Sequence, residues 1–135
     1  MTAGIRQAVF VTLDSSPELK SLGFSDGSVH PGRSDSPSTD RFIVIRWGAT
    51  KREVGSAKST TVEFWVYNRQ ADYGLILNAI DVIKVLISSL ESFVLIGNGV
   101  SILGVSWDGD SPDGFDPSWN AVFKSSSFRI TFSES

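Results

Sequence analysis

The feature that most constrains the fold is a change of hydrophobic period between residues 60 and 93. The stretch TTVEFWVY, residues 60–67, alternates its side chains with a period of two, as in a strand with one buried face. The next segment, DYGLILNAIDVIKVLISSLESF, repeats apolar residues at helical spacing, and Asp72 is a suitable N-cap. The predicted buried stripe consists of Ile76, Ile80, Ile83, Ile87 and Leu90. A strand followed directly by an amphipathic helix predicts helices that cover a sheet.

This helix is more apolar than a simple surface helix. Leu75, Val82 and Val85 fall outside the main stripe, so the apolar face is broader than one sheet contact requires. We expect these three side chains to pack on the sheet. Contact with another subunit is the alternative.

The N-terminal residues 3–23 predict a helix of about three turns, or two shorter helices divided between Asp14 and Pro17. Ser16 before Pro17 matches an N-cap followed by proline at the first helical position. Gly23 matches the residue that follows a helix. The predicted buried face consists of Ile5, Ala8, Val9 and Leu13.

Three further segments predict strands, because they are rich in β-branched and aromatic residues: 41–47, 100–107 and 121–132. The order of elements is therefore helix, strand, strand, helix, strand, strand. This order predicts a single α+β domain over residues 1–135, with an antiparallel or mixed sheet of about four strands packed by two helices.

Two connecting segments are long and polar. Residues 24–40 contain mostly Ser, Gly, Pro and Asp, which predicts a long loop without regular structure. Such loops are uncommon inside compact domains, so it is either a plain connection or an arm ordered by a partner. Residues 48–59 predict an extended hairpin loop that carries Lys51, Arg52 and Lys58.

Composition excludes several classes of site. The chain has no cysteine, which rules out disulfides, thiolate nucleophiles and cysteine-ligated zinc and favours an intracellular origin. Its formal net charge of −3 provides no overall attraction to nucleic acid or to an anionic membrane. The apolar run near the N-terminus is too short for a signal peptide or a membrane span. We therefore expect no specific nucleic-acid recognition and no membrane partner.

The acidic stretch WDGDSPDGFDPSW, residues 107–119, raises the question of a calcium loop. With Asp108 at position one, Asp110 matches position three, but Asp113 falls at position six instead of five. Trp119 occupies the position where an EF-hand has glutamate. We therefore predict a turn centred on Ser-Pro-Asp-Gly at a hairpin tip, with a weaker cation site as the alternative.

No catalytic constellation is apparent. His30 lies beside a proline in the polar loop, where little would hold it for acid–base chemistry. The carboxylates between Asp108 and Asp116 lack an apolar pocket that would raise the pKa of one of them. The sequence GNGVSILG follows a helix and enters a strand, the reverse of a dinucleotide fingerprint. We predict an interaction module without enzymatic activity, cofactor or metal.

Two stretches resemble the tail terminator proteins of long-tailed bacteriophages. They are VEFWVYNRQADYGLILNAI, residues 62–80, and SPDGFDPSWNAVFKSSSFRI, residues 111–130. The matching residues are Trp65, Val66, Tyr67, Asp72, Tyr73, Ile76, Ile80, Ser111, Asp113, Phe115, Asp116, Phe128, Arg129 and Ile130. The sequence departs from the family at Gln70 and Ala71, where proline and glycine are expected, and the second helix lacks the family's arginines.

The resemblance implies a ring, hexameric in this family, that caps the head-proximal end of the tail tube and stops tube polymerisation. The implied partners are further copies of the chain, the tail tube protein, the head completion protein and, as an additional candidate, the tape measure protein. The implied location is the head–tail junction of a virion assembled in the host cytoplasm. Two alternatives remain: another neck or head-completion protein, and a small ligand-binding domain or enzyme.

A ring also suggests a role for the charged hairpins. Opposite charges set the register of an interface and speed encounter more than they add affinity. We expect the acidic segment of one subunit to meet the basic hairpin of its neighbour or the tube. The residues concerned are Asp108, Asp110, Asp113, Asp116, Lys51, Arg52 and Lys58.

Overall fold

Three helices cover one face of a seven-stranded sheet in the part of the chain that the computed structural model describes, residues 3–25, 27–32, 39–53, 55, 57–90, 94–95 and 100–134. The helices are α1 Ala3–Asp14, α2 Pro17–Ser21 and α3 Tyr73–Ser88. The strands are β1 Val29–His30, β2 Arg41–Arg52, β3 Ala57–Asn68, β4 Val94–Leu95, β5 Val100–Asp110, β6 Gly114–Asp116 and β7 Ala121–Glu134.

The sheet order is β1-β2-β3-β7-β5-β4, with β6 also paired to β7. Only β1 with β2 is parallel among these pairs; the others are antiparallel. The predicted α+β class is confirmed, but the expected two helices and four strands undercount the elements. Strands β1, β4 and β6 contain two or three residues each, which is too short for a periodic signal.

The main core lies between the sheet and the helices. Val62, Phe64 and Val66 of β3 are completely buried there, which confirms the predicted alternation. Helix α3 begins as predicted, because Oδ1 of Asp72 accepts a hydrogen bond from the backbone N–H of Leu75 at 3.3 Å. The predicted stripe is buried at Ile76, Ile80, Ile83 and Ile87 within α3. Leu90 is also buried, but it lies in the turn after the helix, which ends at Ser88 and is therefore shorter than predicted; residues 91–93 of the predicted helix lie outside the described part. No described helix is long and apolar enough to span a membrane.

The remaining apolar side chains of α3 divide between two environments. Leu75 and Val82 are partly buried against the main core, which helix and strand residues form together. Val85 is 70% exposed, so the expectation that it packs on the sheet was wrong. It lies two residues from Ile83 and Ile87, which places it on the opposite side of the helix.

The N-terminal segment follows its prediction closely. It forms two helices separated between Asp14 and Pro17, and Oγ of Ser16 accepts a hydrogen bond from the N–H of Leu19 at 3.2 Å. Gly23 follows α2 with a φ of +97°, a left-handed conformation that favours glycine. The predicted face of Ile5, Ala8, Val9 and Leu13 is buried.

The prediction of a loop without regular structure at 24–40 is wrong at Val29–His30. This strand pairs in parallel with Ile43 and Val44, and Val29 is 5% exposed. The N–H of Ile43 donates to the carbonyl of Ser28 at 2.9 Å, which extends the pairing. Residues 26 and 33–38 lie outside the described part, so an arm ordered by a partner stays a prediction for them.

The basic hairpin is a strand pair for most of its length. Strand β2 continues to Arg52 and β3 begins at Ala57, so the three predicted cations lie on strands and not on a flexible loop. Arg52 pairs with Lys58, and the N–H of Glu53 donates to the carbonyl of Ala57 at 2.8 Å. The hairpin is therefore extended, as predicted, with a short tip whose residues 54 and 56 are not described.

The turn between β3 and α3 explains one departure from the tail terminator pattern. Ala71 has a φ of +57°, where the resemblance predicts glycine. Asn68 is completely buried and holds the turn, because its Nδ2 donates to the carbonyl of Asp72 at 3.2 Å and its Oδ1 accepts from the N–H of Gln70 at 3.0 Å. These bonds fix a conformation that alanine adopts only with strain.

The substitution Ala71→Gly is therefore expected to stabilise the protein. Relief of the left-handed alanine is worth about 1 kcal/mol, partly offset by the greater freedom of glycine in the unfolded chain. The measurement is urea unfolding of both proteins. Ala49→Gly is the matched control, since Ala49 lies in an exposed part of β2 and is not among the residues of positive φ, and it is expected to destabilise by about 0.5–1 kcal/mol. A lower unfolding free energy for Ala71→Gly would contradict this account.

Candidate assembly surfaces

The acidic stretch is mostly strand and not a hairpin tip. Strand β5 runs through Asp110, and after a break at 111–113 the chain continues as β6 along the same side of β7. At the break, Ser111 donates its N–H to the carbonyl of Ser125 at 2.8 Å, and its Oγ accepts from the N–H of Ser125 at 2.9 Å. The prediction of a turn at Ser-Pro-Asp-Gly was wrong, because the Ser111 hydroxyl keeps this segment bonded to the sheet.

The chain reverses four residues later, at 117–120. Oδ1 of Asp116 accepts from the N–H of Ser118 at 2.9 Å, and Asn120 adopts a φ of +50°. This turn places Trp119 edge-on against the rings of Phe42 and Tyr67, at 5.2 and 4.9 Å between centroids. It thereby forms a second apolar cluster on the sheet face opposite the helices.

Asp110 connects the edge of the sheet to helix α3. Its Oδ2 lies 3.0 Å from Nζ of Lys84, and its Oδ1 accepts from Nε1 of Trp107 at 3.0 Å. Lys84 also lies 4.5 Å from the ring centroid of Trp107. Burial raises the pKa of Asp110, but hydrogen bonds from Ser126, Lys84 and Trp107 outweigh it and hold the pKa below its ordinary value.

The other aspartates of this stretch have different surroundings. Asp113 pairs with Lys124 at 3.3 Å, Asp116 holds the turn, and Asp108 is exposed. Among the described residues, no group of three or more histidine or acidic side chains is arranged to hold a metal ion. Asp110 and Asp113 therefore have lysine partners within their own chain.

Lys51 and Arg52 are exposed at the other end of the sheet, and Lys58 is partly buried there. Lys51 lines an open cleft on the face that carries no helix, together with Glu53, Ser59 and Arg129. Oγ of Ser59 donates to Oε1 of Glu53 at 2.7 Å, which fixes one wall of the cleft. Arg129 is exposed and adds a cation that was predicted only as part of a fold motif. The sequence pattern could have predicted this exposure, because Arg129 lies between the buried Phe128 and Ile130 and neighbouring residues of a strand face opposite sides.

The acidic and basic groups lie far apart within one chain. On strand β7, Lys58 is opposite Phe132 and Asp110 is opposite Ser126. These positions are six residues apart, or roughly 20 Å along a strand. The charges at the two ends cannot neutralise each other within a subunit, since that separation is about twice the screening length in ordinary buffers.

The two stretches that resemble tail terminators meet in the structure. Val62 pairs with Phe128 across β3 and β7, and Oη of Tyr73 donates to the carbonyl of Gly114 at 2.7 Å. The motif residues Tyr67, Ile76, Ile80, Phe128 and Ile130 are buried, Trp65 and Tyr73 are partly buried, and Asp72 caps α3. These residues therefore stabilise the fold, whereas Arg129 is available for contact.

His30 contributes to packing in the described structure. It pairs with Val44 in the sheet, and its ring meets Phe42 edge-on at 6.2 Å between centroids. Burial lowers the pKa of His30, which favours the neutral ring at neutral pH.

Exposed apolar side chains identify two further surfaces. Leu103, Trp107 and Phe115 are each more than half exposed and follow the β5–β6 side of the sheet. Val85 lines a shallow groove between α2 and α3 with Val82, Leu86, Glu18 and Asp81. The sequence does not indicate this edge, because only the sheet order shows that β5 is the outermost long strand on its side, flanked by the two-residue β4.

Comparison with known proteins is informative at the level of the fold. No protein-family model and no curated protein matches the sequence. The structure is similar to a chain of a solved structure titled "Virion of native gene transfer agent (GTA) particle", with a TM-score of 0.75 and 12% sequence identity. The match covers 96% of this chain and 94% of that chain. This protein therefore shares its α+β fold, over nearly its whole length, with a component of a virion.

The substitution Asp110→Asn tests the link between α3 and the sheet edge. It removes the carboxylate charge beside Lys84 and is expected to lower the unfolding free energy at pH 7 by about 0.5–1 kcal/mol, because the pair is partly exposed. The pKa of Asp110 is lower in the folded state, so the charge stabilises the fold above the unfolded pKa. This contribution is lost as the pH falls through the folded pKa.

Urea unfolding of both proteins from pH 7 to pH 2 measures this dependence. The two unfolding free energies are expected to converge at the acidic end. Asp108→Asn is the matched control and should change stability by less than about 0.5 kcal/mol at either pH, since Asp108 is exposed. A constant difference between Asp110→Asn and the parent at all pH values would contradict the electrostatic role.

Proposed function

We propose that this protein is a structural component of a virion that forms a ring at the head-proximal end of a phage tail tube. In this role it ends tube polymerisation and provides the surface that joins the tail to the head. The fold shared over nearly the whole chain with a virion component supports the proposal. The resemblance of residues 62–80 and 111–130 to tail terminators supports the finer assignment.

The contacts between these two stretches favour reading them as one unit. Residues 62–68 of the first stretch pair with 122–128 of the second along β3 and β7, so the similarity covers adjoining parts of one sheet. The hydrogen bond from Tyr73 to Gly114 joins the start of α3 to the acidic segment. A resemblance carried by residues that meet in space is a better guide to a shared fold than isolated short motifs.

The proposed partners are further copies of the chain, six in the ring, the tail tube protein, the head completion protein and, as an additional candidate, the tape measure protein. The proposal assigns the protein no catalytic residue, cofactor or metal. A protein that closes a ring needs two different complementary surfaces on each subunit. The acidic and basic ends, about 20 Å apart along β7, offer such a pair.

Tube length provides the first test. Purified protein added to polymerising tail tube subunits is expected to shorten the tubes in proportion to its concentration and to appear as a cap at one end by electron microscopy. The cap should have a mass of about 88 kDa, corresponding to six 14.7 kDa chains. Tubes of unchanged length, with the protein bound only to isolated heads or portals, would instead assign it to head completion.

Charge reversal tests the role of the two ends. Asp110 is unsuitable because it holds Lys84, and Asp113 because it pairs with Lys124, so the variant is Asp108→Lys at an exposed position. Repulsion from Lys51 and Arg52 of the neighbour is expected to weaken ring assembly by about tenfold, or ~1.4 kcal/mol. Adding Lys51→Glu and Arg52→Glu should restore assembly. The matched control is Asp81→Lys, an exposed reversal on α3 that should leave ring formation unchanged. Unaltered sedimentation of Asp108→Lys would rule out the charged ends as the contact.

A further inference from the structure

In the described part of the chain, the sheet has a largely open edge on each side. Strand β2 pairs with β1 only at Ile43 and Val44, and residues 48–52 of β2 are exposed. On the other side, β5 pairs with β4 only at Val100 and Ser101. Beyond these contacts, no described strand lies outside β2 or β5. The unpaired backbone groups of such edges can template the strand of another chain.

The two edges differ in charge and in polarity. The β2 edge ends in Lys51 and Arg52. The β5 edge carries Asp108 and presents Leu103 and Trp107, each 53% exposed. A cationic edge and an acidic, apolar edge complement each other, whereas two copies of the same edge do not.

Strand direction also fits contact between different edges. The pairs β2–β3, β3–β7 and β7–β5 are all antiparallel, so β5 runs antiparallel to β2 across the sheet. A second copy placed beside the first with its sheet in the same orientation presents β5 antiparallel to β2. Such head-to-tail contacts generate rings when the rotation between subunits closes.

We propose that the exposed end of β2 in one copy pairs with β5 of a second copy, so that the sheet continues from subunit to subunit. The pairing places Lys51 opposite Asp108 of the neighbour. The occupant of each edge is therefore another copy of this chain. This contact would be the subunit interface of the proposed ring. The pairing of the two edges does not depend on the proposed function, but closure of the subunits into a ring does.

The side-chain faces agree with this register. Lys51 lies on the uncovered face of the sheet beside Ser59 and Arg129. Asp108 lies on the same face, in a hollow with Glu63 and Trp65. In a continuous sheet the two side chains would point to the same side and meet as a cross-strand pair.

Pairing Lys51 with Asp108 requires each subunit to be shifted along the strand direction relative to its neighbour, and the size of this shift agrees with the strand tilt of closed sheets. Within one chain, Lys51 pairs with Ser59, Ser59 with Thr131, and Thr131 with Gly104, so Lys51 and Gly104 lie at the same height in the sheet. Asp108 lies four residues further along β5 than Gly104. Four residues correspond to roughly 13 Å along a strand, over four main strands that span roughly 19 Å. This offset tilts the strands by about 35°, within the range that closed sheets adopt.

The absence of cysteine from the chain permits a direct test. Lys51→Cys and Asp108→Cys are made as separate proteins, mixed and oxidised. Opposed cross-strand positions are close enough for a disulfide. The mixed dimer is expected in clear excess over either homodimer. Both substituted residues are exposed, so the variants should fold, which thermal unfolding verifies.

The control is Val85→Cys mixed with Lys51→Cys, which should give no preferred mixed dimer, because Val85 lies in the helical groove. Three outcomes would overturn the inference: no excess of the Lys51→Cys and Asp108→Cys dimer, an equal excess with Val85→Cys, or dominant Val85→Cys homodimers. If rings form and cap tubes without the mixed disulfide, the edge contact is wrong and the proposed function stands. If the mixed disulfide forms but the assemblies never affect tubes, the edge contact stands and the proposed function fails.

Discussion

The pairing of β3 with β7 is the interaction on which the rest of the structure depends. Twelve consecutive residue pairs join the two strands without a bulge, from Ala57 with Ser133 to Asn68 with Val122. This ladder fixes which side chains of each strand face the helices, because a shift of one residue would exchange the two faces. Val62, Phe64 and Val66 then enter the main core, and Tyr67 enters the smaller cluster on the opposite face. The outer strands β2 and β5 take their positions from these central two.

The same ladder separates the charges. It places the basic hairpin at one end of the sheet and the acidic segment at the other, and it leaves β2 and β5 as the outermost long strands. The intrachain bonds from Asp110 to Lys84 and from Asp113 to Lys124 hold the acidic end in place and leave Asp108 exposed. A subunit with unlike ends and unlike edges suits a head-to-tail assembly, which needs two different surfaces.

Sequence patterns predicted the long helices and strands because each of them contains enough residues to show a clear hydrophobic period. Helix α3 carries four isoleucines at helical spacing and a capping aspartate, and β3 carries a clear alternation. Strands β1, β4 and β6 were missed because two or three residues carry no period. The acidic segment was misassigned as a turn because turn propensity at Ser111–Gly114 is local, whereas its bonds to Ser125 depend on a strand further along the chain. The charged residues were identified from sequence, but their separation and the open edges follow only from strand order.

Electron microscopy of phage particles assembled without this chain tests the central claim most directly. A terminator role predicts overlong tail tubes, or tails of ordinary length that fail to join heads. Normal tails beside unsealed heads that leak DNA would contradict that role and indicate a head-completion protein. Intact, infectious particles would contradict a structural role in the virion altogether.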